Sequence, residues 1–393
     1  MSGITGLGTT YGLPNYTGIL FNLTPFETPL FSAIGGLTGG MQATSTEFEW
    51  QTEDLRSAAQ NVALEGATAP TAQQRVRGNV TNVCQIQQEK VSVSYTKLAA
   101  FGQKAGSNND LQNPILNETD HQVTLMLRQM VRDIEWSFVN GAYNKPVDNT
   151  TSRKTKGIIA AATSNVTQKG TLSAALSAAT DTITEASTPV ADGNAVIFTS
   201  VGVATAIEVG RTYYVVNKLA GSFKVAATLG GAAITIGTAT VQYILPATAT
   251  TANTDIEDFL QKVYDNGGLS DQSTGTLIVN SRQKRAISAA YASAYGKFVE
   301  SSRTVGGVSV DTIVTDFGTL NVMLNRFVPQ DTLIVASLEQ MAPVFLEVPG
   351  KGHFFAEPLA KTGASDEVQL YGEVGLAFGN EKAHGVLRGL KVL

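Results

Sequence analysis

The sequence is poor in charge. Only 16% of its 393 residues are Asp, Glu, Lys or Arg, against about 25% in an ordinary soluble domain. Cationic charge is scarcer still: 28 Lys and Arg stand against 33 Asp and Glu, a net charge of −5. A protein that grips nucleic acid without regard to sequence neutralises phosphates with Lys and Arg, so that class is disfavoured. Cys84 is the single cysteine and has no partner for an intrachain bridge, which excludes a disulfide-stapled scaffold. No apolar run approaches the roughly 20 residues of a membrane helix, so no membrane partner is expected. Arg56 is the first basic residue, so the start lacks the basic region of a signal peptide. Small residues fill the space: Gly alone accounts for 38 positions. A small-residue surface with few charges suits a chain that is covered by protein neighbours.

Catalytic constellations are also missing. His121, His353 and His384 are far apart and hold no metal-ligand spacing. No Gly-x-x-x-x-Gly-Lys-[Ser/Thr] loop occurs, and Gly3–Gly8 neither follows a strand nor opens a helix. No Gly-x-Ser-x-Gly elbow is present. Asp133 and Glu135 are two apart on a helix and so point in different directions. Cys84 has no nearby His and reads as a small buried hydrophobe. The expectation is no enzyme, no cofactor and no metal.

Residues 1–45 read as an extended arm. Pro14, Pro25 and Pro29 interrupt it, and Tyr11, Leu13, Tyr16, Ile19, Phe21, Phe26, Leu30, Phe31 and Ile34 anchor it. Residues 46–100 read as an extended β-hairpin. Phe48 and Trp50 alternate with Glu47, Glu49 and Gln51, and a second alternating run covers 83–96. The polar connection between them carries Glu65, Arg75 and Arg77, and its length calls for a role outside a compact domain. Arg75 and Arg77 admit a nucleic-acid contact or an ion pair between copies.

Residues 101–169 contain the strongest helix, predicted over 115–140. Val123, Leu127, Met130, Ile134 and Phe138 recur at helical spacing and form its core face. Asn117 or Thr119 is placed to cap it, and Gly141 to end it. Arg128, Arg132, Asp133 and Glu135 fall on its outer face, with Arg132 and Glu135 close enough to pair. At 1.5 Å per residue such a helix is about 35–40 Å long, a structural spine.

Residues 170–250 hold seven charges and short β-rich runs between turns: 195–199, 212–216, 223–227, 232–236 and 240–244. They predict a small β-sandwich-like domain inserted between helical flanks. Tyr213 and Tyr214 offer a sugar-stacking surface, although alternation exposes only one of them. Residues 251–345 then mix a helix at 255–266, capped by Thr254, with Ile256, Phe259, Leu260 and Val263 inward, a buried strand at 276–279, a helix over 281–295 that starts at a Ser281 cap, strands 308–315 and 318–324 paired around an Asp316-Phe317-Gly318 turn, and a strand at 332–337. Residues 346–393 complete the fold with further strands. The sum is α+β rather than a doubly wound nucleotide fold.

Three stretches carry a resemblance: Leu23–Phe31 (LTPFETPLF) followed by Ile34-Gly35-Gly36; Thr315-Asp316-Phe317-Gly318 with Asn325–Pro329 (NRFVP); and Leu359–Asp366 (LAKTGASD) with Gly379-Asn380-Glu381 and Gly385. With the order of parts, they make the chain similar to the major capsid proteins of tailed bacteriophages, of the Hong Kong 97 type. The resemblance implies an N-terminal arm, extended loop, spine helix, peripheral and axial domains, with the β module as a departure. It implies a virion shell protein, assembled in the host cytoplasm as pentamers and hexamers. Such a shell encloses double-stranded DNA without sequence-specific binding. No charged helical segment precedes the arm, so scaffolding, if the shell needs it, is expected as a separate chain, with portal and decoration proteins as further candidate partners. Phe26, Leu30, Phe31, Trp50, Glu65, Arg75 and Arg77 are the expected contacts between copies. Two alternatives remain: an encapsulin-like nanocompartment shell, and a sugar-binding surface protein acting through the β module.

Overall fold

The computed structural model describes residues 23–99, 117–179, 181–185, 189–202, 206–269, 275–294, 312–360 and 363–392. The arm anchors Tyr11, Leu13, Tyr16, Ile19 and Phe21, the glycines at 3–8, Pro114, Tyr295 and the predicted strand start at 308–311 lie outside them.

In chain order, helix α1 (Pro29–Ala33) leads to strands β1 (Met41–Ala43), β2 (Glu47–Thr52), β3 (Gly78–Val83) and β4 (Gln85–Ser94). Helices α2 (Tyr95–Ala99), α3 (Glu118–Asn140) and α4 (Ile158–Ala161) follow. Then come eight short strands: β5 (Val166–Gln168), β6 (Thr171–Leu172), β7 (Leu176–Ala179), β8 (Thr182–Thr184), β9 (Ala195–Ser200), β10 (Thr212–Leu219), β11 (Ser222–Ala226) and β12 (Ala239–Leu245). Helix α5 (Asn253–Asp265), strand β13 (Gly275–Val279) and helix α6 (Ser281–Ala294) come next. Strands β14 (Thr312–Thr315), β15 (Gly318–Leu324), β16 (Leu333–Ser337), β17 (Ala342–Leu346), β18 (Phe354–Pro358), β19 (Ser365–Ala377) and β20 (Gly385–Arg388) close the chain.

The chain divides into two compact units, and the division falls inside α3, β4 and β19. The smaller unit comprises residues 1–27, 87–133 and 348–372. There β18 runs antiparallel to the first half of β19, Phe354 opposite Gly372. A Cβ at Gly372 would lie 2.3 Å from the Phe354 ring, so glycine is what lets that ring cross the strand. Lys90 pairs with Glu367 at 2.8 Å. Asn117 caps α3, its Oδ1 accepting from the Thr119 amide at 3.1 Å and the Asp120 amide at 3.4 Å. Of the two caps the sequence offered, Asn117 does the work, because its side chain sits one residue ahead of the helix.

The larger unit comprises residues 28–86, 134–347 and 373–393. Its main core lies on a six-stranded mixed sheet ordered β14-β15-β13-β16-β20-β5. Helices α5 and α6 cover that sheet, with Ile256, Phe259, Leu260, Val263, Ile287 and Tyr291 packed onto Leu277, Val279, Leu333, Val335 and Leu387. Both helix caps differ from expectation. Residue Ala252 precedes α5 and its amide is held by Asp255 Oδ2 at 3.1 Å, so Thr254 lies inside the helix. Asn280 caps α6 by accepting from the Arg282 amide at 3.2 Å, where Ser281 was expected.

Residues 171–245 form an all-β sheet ordered β6-β12-β7-β8-β11-β10-β9, with β12 also paired to β9. That last pairing closes β12, β7, β8, β11, β10 and β9 into an antiparallel ring around Phe198, Tyr213, Phe223, Val241 and Tyr243. The predicted sandwich is therefore a barrel. Closure satisfies strand edges that a sandwich would leave open. The run at 232–236 is not a strand, although Ile236 is buried in this core.

The hairpin also differs from expectation. Strand β2 pairs antiparallel with β3, Trp50 opposite Val80. The alternating run after Val83 is a separate strand, β4, which pairs with β19. Alternation reports that one face is buried; it does not report which strand lies alongside.

Candidate assembly surfaces

The core face of α3 deepens toward its C-terminus. Met130, Ile134 and Phe138 are fully buried, while Val123 and Leu127 are half-buried. Phe138 meets Phe31 edge-on at 5.8 Å. Glu135 corrects the sequence reading. It is not on an outer face beside Arg132; it is completely buried. Its Oε1 accepts from the Leu30 amide at 2.9 Å, its Oε2 from the Phe31 amide at 2.6 Å, and Asn325 Nδ2 donates to Oε1 at 2.5 Å. Burial raises the Glu135 carboxyl above its usual range, against these donors. Arg132 Nη1 instead donates to Gln129.

This arrangement explains α1. Pro29 opens the helix, where its missing N–H costs nothing, and the next two amides are donated to Glu135. Leu30 and Phe31, expected as contacts between copies, are spent inside one chain. Phe26 remains about half exposed, and the Arg128 guanidinium lies over its ring at 5.1 Å.

Trp50 is likewise engaged within the chain. Its Nε1 donates to the Gly379 carbonyl at 2.8 Å, and its ring meets Phe378 edge-on at 4.8 Å. The hairpin is thereby anchored at its base. Beyond the anchor, residues 53–77 have no regular structure and are exposed throughout. They include Leu55, Val62, Leu64 and Val76, each at least 75% exposed. Glu65, Arg75 and Arg77 lie in this stretch; Arg77 Nη1 donates to Gln51 at 3.1 Å and Arg75 Nη2 to Gln73 at 3.2 Å.

Cys84, His384 and Asp331 are held inside the fold. Cys84 is buried, and burial pushes its thiol up to about 12. His384 is buried between the Phe378 carbonyl, 2.7 Å from Nε2, and the Ser337 amide, which donates to Nδ1 at 3.3 Å. Burial holds its imidazole below the usual range. Asp331 is buried and accepts from the Gly389 amide and the Thr332 hydroxyl. A cleft of about 750 Å³ runs past Trp136, Asn140, Ile197, Val209 and Pro329, with Asp331 in its wall. Its lining includes no His or Cys. Among the described residues no group of three or more His, Cys, Asp and Glu could hold a metal. Tyr213 is buried and its hydroxyl accepts from the Glu208 amide, so it cannot stack a sugar. Tyr214 is half-buried against Ala195, Ile197 and Val392. No described helix is long and apolar enough to cross a membrane.

The fold is that of phage capsid proteins. The capsid of an empty GTA particle matches with a TM-score of 0.54 at 10% identity, over 99% of both chains. The cyanophage A-1(L) capsid matches at 0.53 and 10% identity, over 98% of this chain and 99% of that one. The cyanophage P-SCSP1u capsid matches at 0.51 and 8% identity, over 98% and 96%. No curated protein matches the sequence. The model of the SU10 major capsid protein family matches residues 3–391, and the chain belongs to that family. It is a structural capsid protein with the Hong Kong 97 type of fold, one of many copies in a virion shell. The family match favours this over the encapsulin alternative.

Sequence reasoning did not find the Glu135 site. The available signal was a carboxylate whose neighbours on the helix surface, three and four positions on, are the core residues Phe138 and Val139. That placement is unusual for a solvated acid.

Proposed function

We propose that this chain is the subunit of an icosahedral head built from pentamers and hexamers, enclosing phage double-stranded DNA without sequence-specific binding. Residues 1–45 are the arm, 46–100 the extended loop, 101–169 the peripheral domain with the spine helix, and 251–345 the axial domain. Residues 346–393 complete both domains, and 170–250 are an inserted β domain on the outer face, where it does not compete with DNA for volume. The subunit acts by packing and catalyses no reaction. It assembles in the host cytoplasm, with other phage proteins, such as portal and decoration proteins, as candidate partners of the shell.

One observation carries the reading: residues 53–77 are exposed along their whole length and still hold four large aliphatic side chains. Such a segment gains burial only against another surface, at about 25 cal/mol per Å² of apolar area covered. A neighbouring copy supplies that surface, and a head-to-tail contact of this kind closes into rings. Phe26, Glu65, Arg75 and Arg77 are the side chains left available for it, with Trp50 holding the base. Replacing residues 56–75 with a short Gly-Ser link should leave a folded subunit that forms no closed shells by electron microscopy. Normal shells from that variant would refute the reading.

A further inference from the structure

The cleft past Trp136 lies wholly within the larger unit. Trp136 is 38% exposed and Ile86 44% exposed, although both are large apolar side chains. Both line the cleft, and Ile159, Val209 and Pro329 continue its apolar wall. Its volume of about 750 Å³ falls within the roughly 300–1,000 Å³ of sites that take a ligand-sized group. Its charged lining is mainly basic. Arg153, Lys154 and Arg388 stand against Glu208, which pairs with Arg211 at 3.5 Å, and Asp331, which is buried. Arg153 Nη2 donates to Glu373 at 3.0 Å, while its Nη1 is buried without a hydrogen-bond partner. Lys154 is exposed, and among the described residues its ammonium meets no carboxylate. The exposed segment 53–77 has the complementary chemistry at its middle. The Ala67 amide donates to the Leu64 carbonyl at 3.1 Å, and Gly66 has a φ of 77°, so Leu64–Ala67 is a closed turn. Gly66 stands at its third position, where a positive φ favours glycine. Leu64 is 86% exposed, and Glu65 beside it is exposed with no ion pair among the described residues.

We propose that the Leu64–Ala67 turn of one copy seats in the Trp136 cleft of a second copy, with Leu64 against Ile86 and Trp136 and Glu65 against Lys154. The inference rests on the shell reading for the second copy and adds the place on it where the exposed segment docks. Charge selects this occupant: a carboxylate and an ammonium, each unpaired in its own chain, meet across the contact, and such complementarity fixes register. Burial selects it too. Leu64 gains cover only outside its own chain, and an exposed tryptophan is the kind of anchor that dominates protein–protein contacts. A duplex would satisfy Lys154 and leave Ile86 and Trp136 uncovered. The turn is already closed by its own hydrogen bond, so docking costs it little ordering. Turn and cleft are different surfaces of one chain, so every copy gives one and receives one, the head-to-tail contact that closes rings.

The test is disulfide trapping in the full-length protein. Leu64→Cys and Ile86→Cys chains are purified separately, mixed under assembly conditions and oxidised, with Leu64→Cys and Trp136→Cys as a second pair. Linked dimers on a non-reducing gel should come from each mixture and not from any single variant; the native Cys84 is buried and does not compete. The double variant Leu64→Cys/Ile86→Cys should give a ladder of linked chains. An internally bridged monomer from it would place the turn in its own chain's cleft and overturn the proposal. Glu65→Lys and Lys154→Glu, each added to the trapping pair, should lower the yield of linked chains several-fold, and the two together should restore it, which separates contact from a folding defect. No recovery would overturn the pairing of those two residues. Electron microscopy of the same preparations reads the shell separately. Shells without linked chains from either pair would overturn this inference and leave the shell reading standing. Linked chains without shells would do the reverse, and absence of both would overturn both.

Discussion

The Phe31 amide donates to Glu135 Oε2 at 2.6 Å across 104 positions of sequence. With the Leu30 amide on Oε1, this bond joins the N-terminal segment to the long helix. Truncation should therefore have a threshold. Removing residues 1–27 keeps α1 and should preserve subunit stability. Removing 1–45 strips Glu135 of two donors and uncovers Phe138, and should lower the denaturation midpoint sharply. Glu135→Ala in the full chain leaves two backbone amides and Asn325 without their acceptor, at about 1–3 kcal/mol for each buried donor left unsatisfied. Equal midpoints for the two truncations would show that α1 contributes nothing.

The burial gradient along α3 predicts unequal costs. Ile134→Ala should destabilise by about 2–5 kcal/mol, because its site is sealed. Val123→Ala should cost well under that, since Val123 is already half-exposed in the lone chain. Urea titration of the unassembled subunit compares the two.

Cys84 should be inert in the folded protein. Its thiol is buried and raised to about 12, so almost no thiolate exists at pH 8. Ellman's reagent should react with one thiol per chain only after denaturant is added. Rapid reaction of the native subunit would contradict the burial of Cys84, whose Sγ lies 3.9 Å from the Val344 carbonyl.

His384 should make the fold acid-sensitive in a defined direction. Its folded pKa lies below the ordinary value, so the unfolded chain takes up the proton first. The stability it contributes is full above about pH 6.5 and is lost as the pH falls toward the folded pKa. A His384→Gln variant should lack this component, visible as a smaller fall in denaturation midpoint between pH 7.5 and 5.5.

Gly372→Ala should cost about 1–3 kcal/mol by forcing the Phe354 ring aside. Combining it with Phe354→Ala should recover part of that loss, because the clash is with the ring. Additive losses in the double variant would place the strain elsewhere.

Much of the architecture was legible in local pattern. Ile256, Phe259, Leu260 and Val263 face inward on α5 as their spacing required, and the turn at Asp316–Phe317 joins β14 to β15. Period and turn chemistry are local properties, so one stretch of chain suffices to read them. Partner choice is not local. Nothing in residues 83–96 says that β4 pairs with β19 while β3 takes β2. Nothing in 170–250 says that β12 returns to β9 and closes a barrel. Glu135 shows the limit most plainly. The sequence places a carboxylate on a helix, where solvation is the ordinary outcome. Only the approach of α1 and Asn325 from distant parts of the chain supplies the donors that let it be buried. The sequence thus determined most of the helices and strands, the low charge and the family resemblance, since each depends on residues near one another. The tertiary structure decided which aromatic and charged side chains are spent within the subunit and which remain exposed, because burial depends on residues that meet only when the chain folds.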